Sequence, residues 1–237
     1  MRIIGYLKFG IYMINMSIFK KMKLKRIKKN QGQEAAIDYC AKVGEDFSKF
    51  VMNKVLKVKL EVVGKENIPK EACCFIGNHT SMLDVPILIE SVGKAMGFIA
   101  KKETMKNPLL AIWVREYVCV ALDRENAREA IKSIREGAEN IKNGYSMAIF
   151  PEGTRSKDGK LLEFKKGSLK LATMAKAPIV PVTIEGAYKA LEGRNKKYNK
   201  IKVTFSEPIY TDSLTREEEK GLMDKVRGII AQNLNQE

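Results

Sequence analysis

A single histidine, His79, occurs in 237 residues, so chemistry that needs an imidazole near neutral pH has one candidate. Cysteine is equally sparse. Cys40, Cys73, Cys74 and Cys119 form no C-x-x-C pair, and with one histidine they offer no credible zinc set. Cys73 and Cys74 fall inside an apolar run and read as buried, reduced packing residues, which suits a cytoplasmic protein. The chain also lacks G-x-x-x-x-G-K-[ST], G-x-G-x-x-G after a strand, and G-x-S-x-G, which removes the common nucleotide-binding loops and the serine-hydrolase elbow. No Pro/Gly/Ser-rich linker or internal repeat divides it, so one sizeable core is expected.

Acidic residues are missing from residues 1 to 30, which hold Arg2, Lys8, Lys20, Lys21, Lys23, Lys25, Arg26, Lys28 and Lys29. That segment supplies +9 of the formal net charge of +15 and leaves the other 207 residues at only +6. Ile3 to Phe19 is mostly apolar, with Lys8 and Asn15 seven apart on one helical face. An apolar helix with a cationic end suits the surface of an anionic membrane, whereas nucleic-acid binding gives no reason for so much apolar surface. Other roles for the run are a core-packing helix, a signal peptide or a membrane span. The charges follow the apolar run and no small-residue cleavage site appears, which argues against a signal peptide. About 17 residues is the lower limit for a span, and the central lysine favours monotopic attachment. A second amphipathic pattern covers Gln33 to Val55, with Ile37, Cys40, Val43, Phe47, Phe50, Val51 and Val55 opposite a charged face. It either packs across the following domain or completes a helical hairpin with the first segment. Residues 1–55 are therefore read as an N-terminal membrane-associating helical segment and 56–237 as the main domain.

Beyond Lys57 short apolar runs alternate with helical patterns. Strands are expected at Lys57 to Val63, Ala72 to Gly77, Met96 to Ala100, Tyr117 to Leu122, Ser146 to Phe150, Ile179 to Ile184 and Ile201 to Phe205. Helices are expected at Leu83 to Ser91, Pro108 to Arg115, Ala127 to Asn143, Gly167 to Ala175 and Thr215 to Asn233. The pattern implies an α/β fold with a mixed, largely parallel sheet flanked by helices.

Two turns in that alternation carry chemistry. The first is Asn78-His79-Thr80-Ser81-Met82-Leu83-Asp84, in which a carboxylate five residues after the imidazole can fix its tautomer and stabilise the imidazolium. The same residues also read as a helix capping box, with Ser81 at the N-cap and Asp84 at N3. The second is Pro151-Glu152-Gly153-Thr154-Arg155-Ser156, directly after an apolar strand. Arg155 presents a planar fork suited to phosphate, with hydroxyls on either side. Taken alone this turn could equally be a strand exit with a solvated arginine. Both turns follow strand C-termini, the edge at which open α/β sheets bind ligands.

Four ordered blocks between residues 75 and 184 resemble those of the glycerolipid acyltransferases, specifically the 1-acylglycerol-3-phosphate (lysophosphatidic acid) acyltransferases. H-x-x-x-x-D is matched by His79 and Asp84, and F-P-E-G-T-R by Phe150 to Arg155 at every position. A lysine–arginine block is matched by Lys101 and Arg124, although Thr104 and Ala111 stand where the family usually has leucine and glycine. A proline-containing strand is matched by Ala177 to Ile184.

The resemblance implies an enzyme that moves an acyl group from an acyl carrier protein or coenzyme A thioester to the 2-hydroxyl of lysophosphatidic acid, with no other cofactor. His79 would be the general base and Asp84 its orienting partner. Arg155, with Lys101 and Arg124, would hold the acceptor phosphate, while Glu152, Gly153 and Thr154 shape the turn. The expected partners are the lysophospholipid, the thioester and an anionic membrane surface at the cytoplasmic face, with no nucleic acid. Acylation of another glycerolipid or lyso-lipid acceptor, a catalytically silent lipid-binding module and a nucleic-acid-binding protein are the alternatives.

Overall fold

The computed structural model describes residues 2–106, 111–123, 126–165, 167–193 and 199–236. Among the described residues seven strands make one sheet: β1 Lys59–Val63, β2 Cys74–Gly77, β3 Met96–Lys101, β4 Val120–Leu122, β5 Ser146–Ile149, β6 Ile179–Glu185 and β7 Lys200–Phe205. Their spatial order is β1-β7-β6-β2-β5-β3-β4. From β6 to β4 all neighbours are parallel; β7 runs antiparallel to β6, and β1 is parallel to β7. The sheet is therefore mixed and largely parallel, as the alternating pattern implies.

Both sheet faces are covered, which explains why the central strands read as continuous apolar runs rather than alternating ones. Successive residues of β2 go to opposite sides. Phe75 joins a core shared with the N-terminal helices, whereas Cys74 and Ile76 join the other core. On the first side lie α1 Arg2–Asn15, α2 Lys21–Phe50, α3 Asp84–Val92 and α4 Ala111–Glu116. The second side is covered by α5 Ala127–Lys142, α6 Lys170–Ala175 and α8 Arg216–Asn233. Asn126 caps α5 by accepting from the Arg128 and Glu129 amides, and α8 opens with a full Thr215/Glu218 capping box. Each of these caps lies at the boundary implied by its sequence.

The N-terminal helices form an antiparallel hairpin. The first arm is longer than its apolar run, because helix continues through a π-helical segment, Met16–Lys20, and the basic residues up to Gln31. Gly32, at φ 91°, breaks the path and returns the chain in the second arm, which ends in another π-helical segment, Val51–Leu56. Tyr12 stacks on Phe50 with 4.4 Å between ring centroids, and Phe9 and Tyr12 tilt against Phe47. Lys28 reaches Glu116 of α4 at 2.8 Å, tying the hairpin to the domain. One stripe of the first arm faces outward: Leu7, Ile11, Ile14, Ile18 and Met22 are all exposed and recur at steps of three and four. Among the described residues no helix is long and apolar enough to cross a membrane.

Several boundaries differ from expectation: the strands expected from Lys57 and Ala72 begin at Lys59 and Cys74, and the helix expected from Gly167 begins at Lys170. The strand expected at Tyr117 to Leu122 begins only at Val120, because Val118 adopts φ 60° and swings its carbonyl toward Gly97. A Cβ at Gly97 would lie 2.2 Å from the Val118 oxygen, so that crossing requires glycine. Of the helix expected at 108–115, residues 107–110 lie outside the described residues and the rest forms α4. A short helix, α7 Ala187–Leu191, was not expected, since five residues show no period.

Candidate active site

Strand β2 ends at Gly77, and Asn78 locks that end onto β6: its amide donates to the Ile184 carbonyl at 3.0 Å and its oxygen accepts from the Ile184 amide at 2.8 Å. The chain then turns through His79 into α3. His79 Nδ1 lies 2.8 Å from Asp84 Oδ2. That oxygen also accepts from the Thr80 and Ser81 amides at 2.7 and 2.8 Å, a convergence of N–H donors suited to an anion. A carboxylate accepts only, so Nδ1 carries the proton and Nε2 keeps its lone pair. Asp84 is fully buried, while the imidazole keeps 19% of its surface open. The pair is built to accept a proton at Nε2 and to stabilise the resulting imidazolium.

The capping-box reading is half realised. Asp84 accepts from Ser81 N–H, but α3 starts at Asp84 rather than after Ser81, and the Ser81 hydroxyl accepts from Leu83 instead. The same carboxylate thus organises both the helix entry and the imidazole.

The second turn is stitched to the first. Strand β5 runs next to β2, so Phe150 emerges beside His79, and the two rings stack at 4.4 Å with 14° between their planes. Glu152, 2% exposed, accepts from the His79 amide at 2.6 Å and from the Leu162 amide at 3.1 Å. Burial pushes its carboxyl above the usual range, and the two amide donors hold it down. The Ser156 amide in turn donates to the His79 carbonyl at 2.8 Å. Gly153 sits at φ 70° with the Lys165 stem alongside it. Gly153→Ala is expected to lower stability by about 1–2 kcal/mol, the cost of a left-handed non-glycine residue, measured by urea unfolding. Thr154 and Arg155 are exposed at the rim.

The structure thus brings His79, Asp84, Glu152, Gly153, Thr154 and Arg155 into one place. Lys101 ends β3, which pairs with β5 and lies two strands from β2 on the same sheet edge, and its ammonium lies 3.6 Å from Glu103. Arg124 lies outside the described residues. Sequence reasoning missed the Phe150 stack and Glu192, whose carboxylate accepts from the Ser81 hydroxyl at 2.6 Å and the Met82 amide at 2.9 Å. Phe150 could have been read from its place at the end of a strand neighbouring the histidine; Glu192, 111 positions from Ser81, gives no local signal. The four cysteines are free, and burial pushes the Cys40 and Cys119 thiols up to about 12, which makes them poor nucleophiles.

The acyltransferase family model matches residues 59–185, which contain both turns and six of the seven strands. The chain belongs to the acyltransferase family. It is 35% identical over 193 residues to a probable 1-acyl-sn-glycerol-3-phosphate acyltransferase of Mycoplasma pneumoniae, covering 76% of this chain and 72% of that one. A 1-acyl-sn-glycerol-3-phosphate acyltransferase of Saccharomyces cerevisiae is 34% identical over 191 residues, covering 78% of this chain and 63% of the yeast protein. The crystal structure of the 1-acyl-sn-glycerophosphate acyltransferase of Thermotoga maritima is similar over 99% of this chain and 95% of that one, with TM-score 0.81 and 30% identity. That likeness spans the hairpin as well as the acyltransferase fold.

Proposed function

We propose that the protein transfers an acyl group from an acyl carrier protein or coenzyme A thioester to the 2-hydroxyl of 1-acylglycerol-3-phosphate, forming phosphatidic acid. The observation that carries this reading is the Asp84–His79 pair, with Arg155 joined to the same loop through Glu192, in a chain whose relatives bear that activity in their names. His79 Nε2 takes the hydroxyl proton as the oxygen attacks the thioester carbonyl. The C–O bond forms, the tetrahedral intermediate collapses, the C–S bond breaks, and the imidazolium returns its proton to the departing thiolate. A thioester is already activated, so no covalent enzyme intermediate and no other cofactor is needed. Arg155 holds the acceptor phosphate, with Lys101 and Arg124 assisting by family resemblance.

The same reading divides the chain into a membrane-associating segment, 1–55, and a catalytic unit, 56–237. The outward stripe of Leu7, Ile11, Ile14, Ile18 and Met22 lies in the interface of an anionic bilayer, flanked by the basic run, with no span and no nucleic-acid partner. Its face is the cytoplasmic one, where acyl thioesters are supplied.

The test is purified protein given a labelled acyl thioester and a panel of lyso acceptors. 1-Acylglycerol-3-phosphate should be converted in preference to glycerol 3-phosphate, lyso-ornithine lipid and neutral monoacylglycerol. Preference for another acceptor reassigns the substrate, and binding without turnover makes the protein a silent lipid-binding module. Arg155→Lys keeps the charge but loses the fork, so it should raise the KM for the phosphate-bearing acceptor about tenfold and leave the donor KM nearly unchanged. A mainly donor-side effect would place Arg155 at the phosphates of the donor instead.

A further inference from the structure

Glu192 follows α7, and its carboxylate meets three pieces of the site at once. Oε2 accepts from the Ser81 hydroxyl and Oε1 from the Met82 amide, both in the His79 loop. Oε1 also lies 3.6 Å from Arg155 Nη1 on the other turn. The backbone behind it is fixed, with the Glu192 and Gly193 amides donating to the Tyr188 carbonyl at 2.9 and 2.7 Å. Ser81 is fully buried and the Glu192 side chain is 25% exposed, so the carboxylate sits at the mouth of the site.

We propose that Glu192 is a positioning and specificity-determining residue: it anchors the His79 loop and occupies Arg155 until a phosphate takes the guanidinium. The inference rests on the reading of Arg155 as the holder of the acceptor phosphate. A carboxylate is a stand-in for a phosphate toward a guanidinium, because both offer paired anionic oxygens to the same fork. A phosphate monoester carries up to two charges against one, and it competes for Arg155 where a neutral acceptor does not. Once displaced from Arg155, the carboxylate keeps its two loop contacts, so the imidazole stays in place while the guanidinium turns to the substrate. Arg155 is 47% exposed, so the ion pair is a weak one that a ligand can replace.

Two arms test this. In Glu192→Gln the shape is kept and the charge is gone, so glycerol 3-phosphate, titrated by calorimetry with no acyl donor present, should bind about two- to fivefold more tightly. The gain should vanish in the Arg155→Ala background. In Glu192→Ala both loop contacts are lost, and kcat with a short-chain 1-acylglycerol-3-phosphate should fall about tenfold from misplacement of the base, while its KM does not rise. Unchanged or weaker glycerol 3-phosphate binding by Glu192→Gln would overturn the proposal, as would a gain that persists without Arg155. The binding arm needs no turnover, so failure of the acyl-transfer reading shows separately, as absent product in the wild-type protein.

Discussion

Replacing His79 with alanine should lower turnover by about two to four orders of magnitude, the range for a positioned general base, while the protein stays folded. The sole imidazole is held on three sides: Nδ1 by Asp84, one ring face by Phe150, and its backbone by Glu152 and Ser156. None of those contacts uses Nε2. The fold should survive because Asp84 retains its Thr80 and Ser81 amide donors and Glu152 retains its hold on the residue 79 backbone. Asp84→Asn separates rate from stability in the same way. Its amide oxygen can still accept from Thr80 and Ser81, but it no longer supplies the anion that sets the tautomer and stabilises the imidazolium. Steady-state rates beside thermal unfolding curves check both variants, and normal turnover by His79→Ala would remove the base from the mechanism.

The second large effect concerns the hairpin. Ile11, Ile14 and Ile18 are 60%, 59% and 48% exposed, so replacing all three with serine removes little from the core. If the stripe enters the bilayer interface, each isoleucine contributes about 1.5 kcal/mol or more on burial, and losing three weakens vesicle capture by on the order of a thousandfold. Neutralising Lys21, Lys25, Arg26 and Lys29 should cause a smaller, salt-sensitive loss, since that attraction is screened over about 8–10 Å. Lys20 and Lys28 are left in place because the first pairs with Asp46 across the hairpin and the second with Glu116, tying the hairpin to the domain. Sedimentation with anionic vesicles at two salt concentrations measures both terms, and activity on monodisperse short-chain acceptor should be spared. Equal capture of wild-type and triple-serine proteins would place the membrane surface elsewhere.

The central strands were legible because each is a short apolar run bounded by turn residues, although burial on both faces leaves no alternation from which register could be read. Chain direction was not: the sequence of β7 alternates cleanly, yet nothing in it says that it runs against β6. Gly32 hid in a polar stretch where a break leaves no periodic trace, so the point at which the first arm turns back was not readable. In the site, His79, Asp84 and the Phe150–Arg155 turn were legible because local spacing carries their chemistry. Glu192 was not, since its role depends on α7 folding back over the His79 loop. The hydrogen bonds that residue 79 donates to Glu152 and accepts from Ser156 likewise exist only because β2 and β5 are neighbours in the sheet.

Direct transfer by a histidine-activated hydroxyl is tested most closely by following free thiol and intact protein mass when the enzyme meets an acyl-coenzyme A, first alone and then with 1-acylglycerol-3-phosphate. The thioester should stay intact and the protein mass unchanged until the acceptor is added, after which one thiol is released for each phosphatidic acid formed, and His79→Ala should suppress both. An acylated protein, or stoichiometric thiol release without acceptor, would contradict the account.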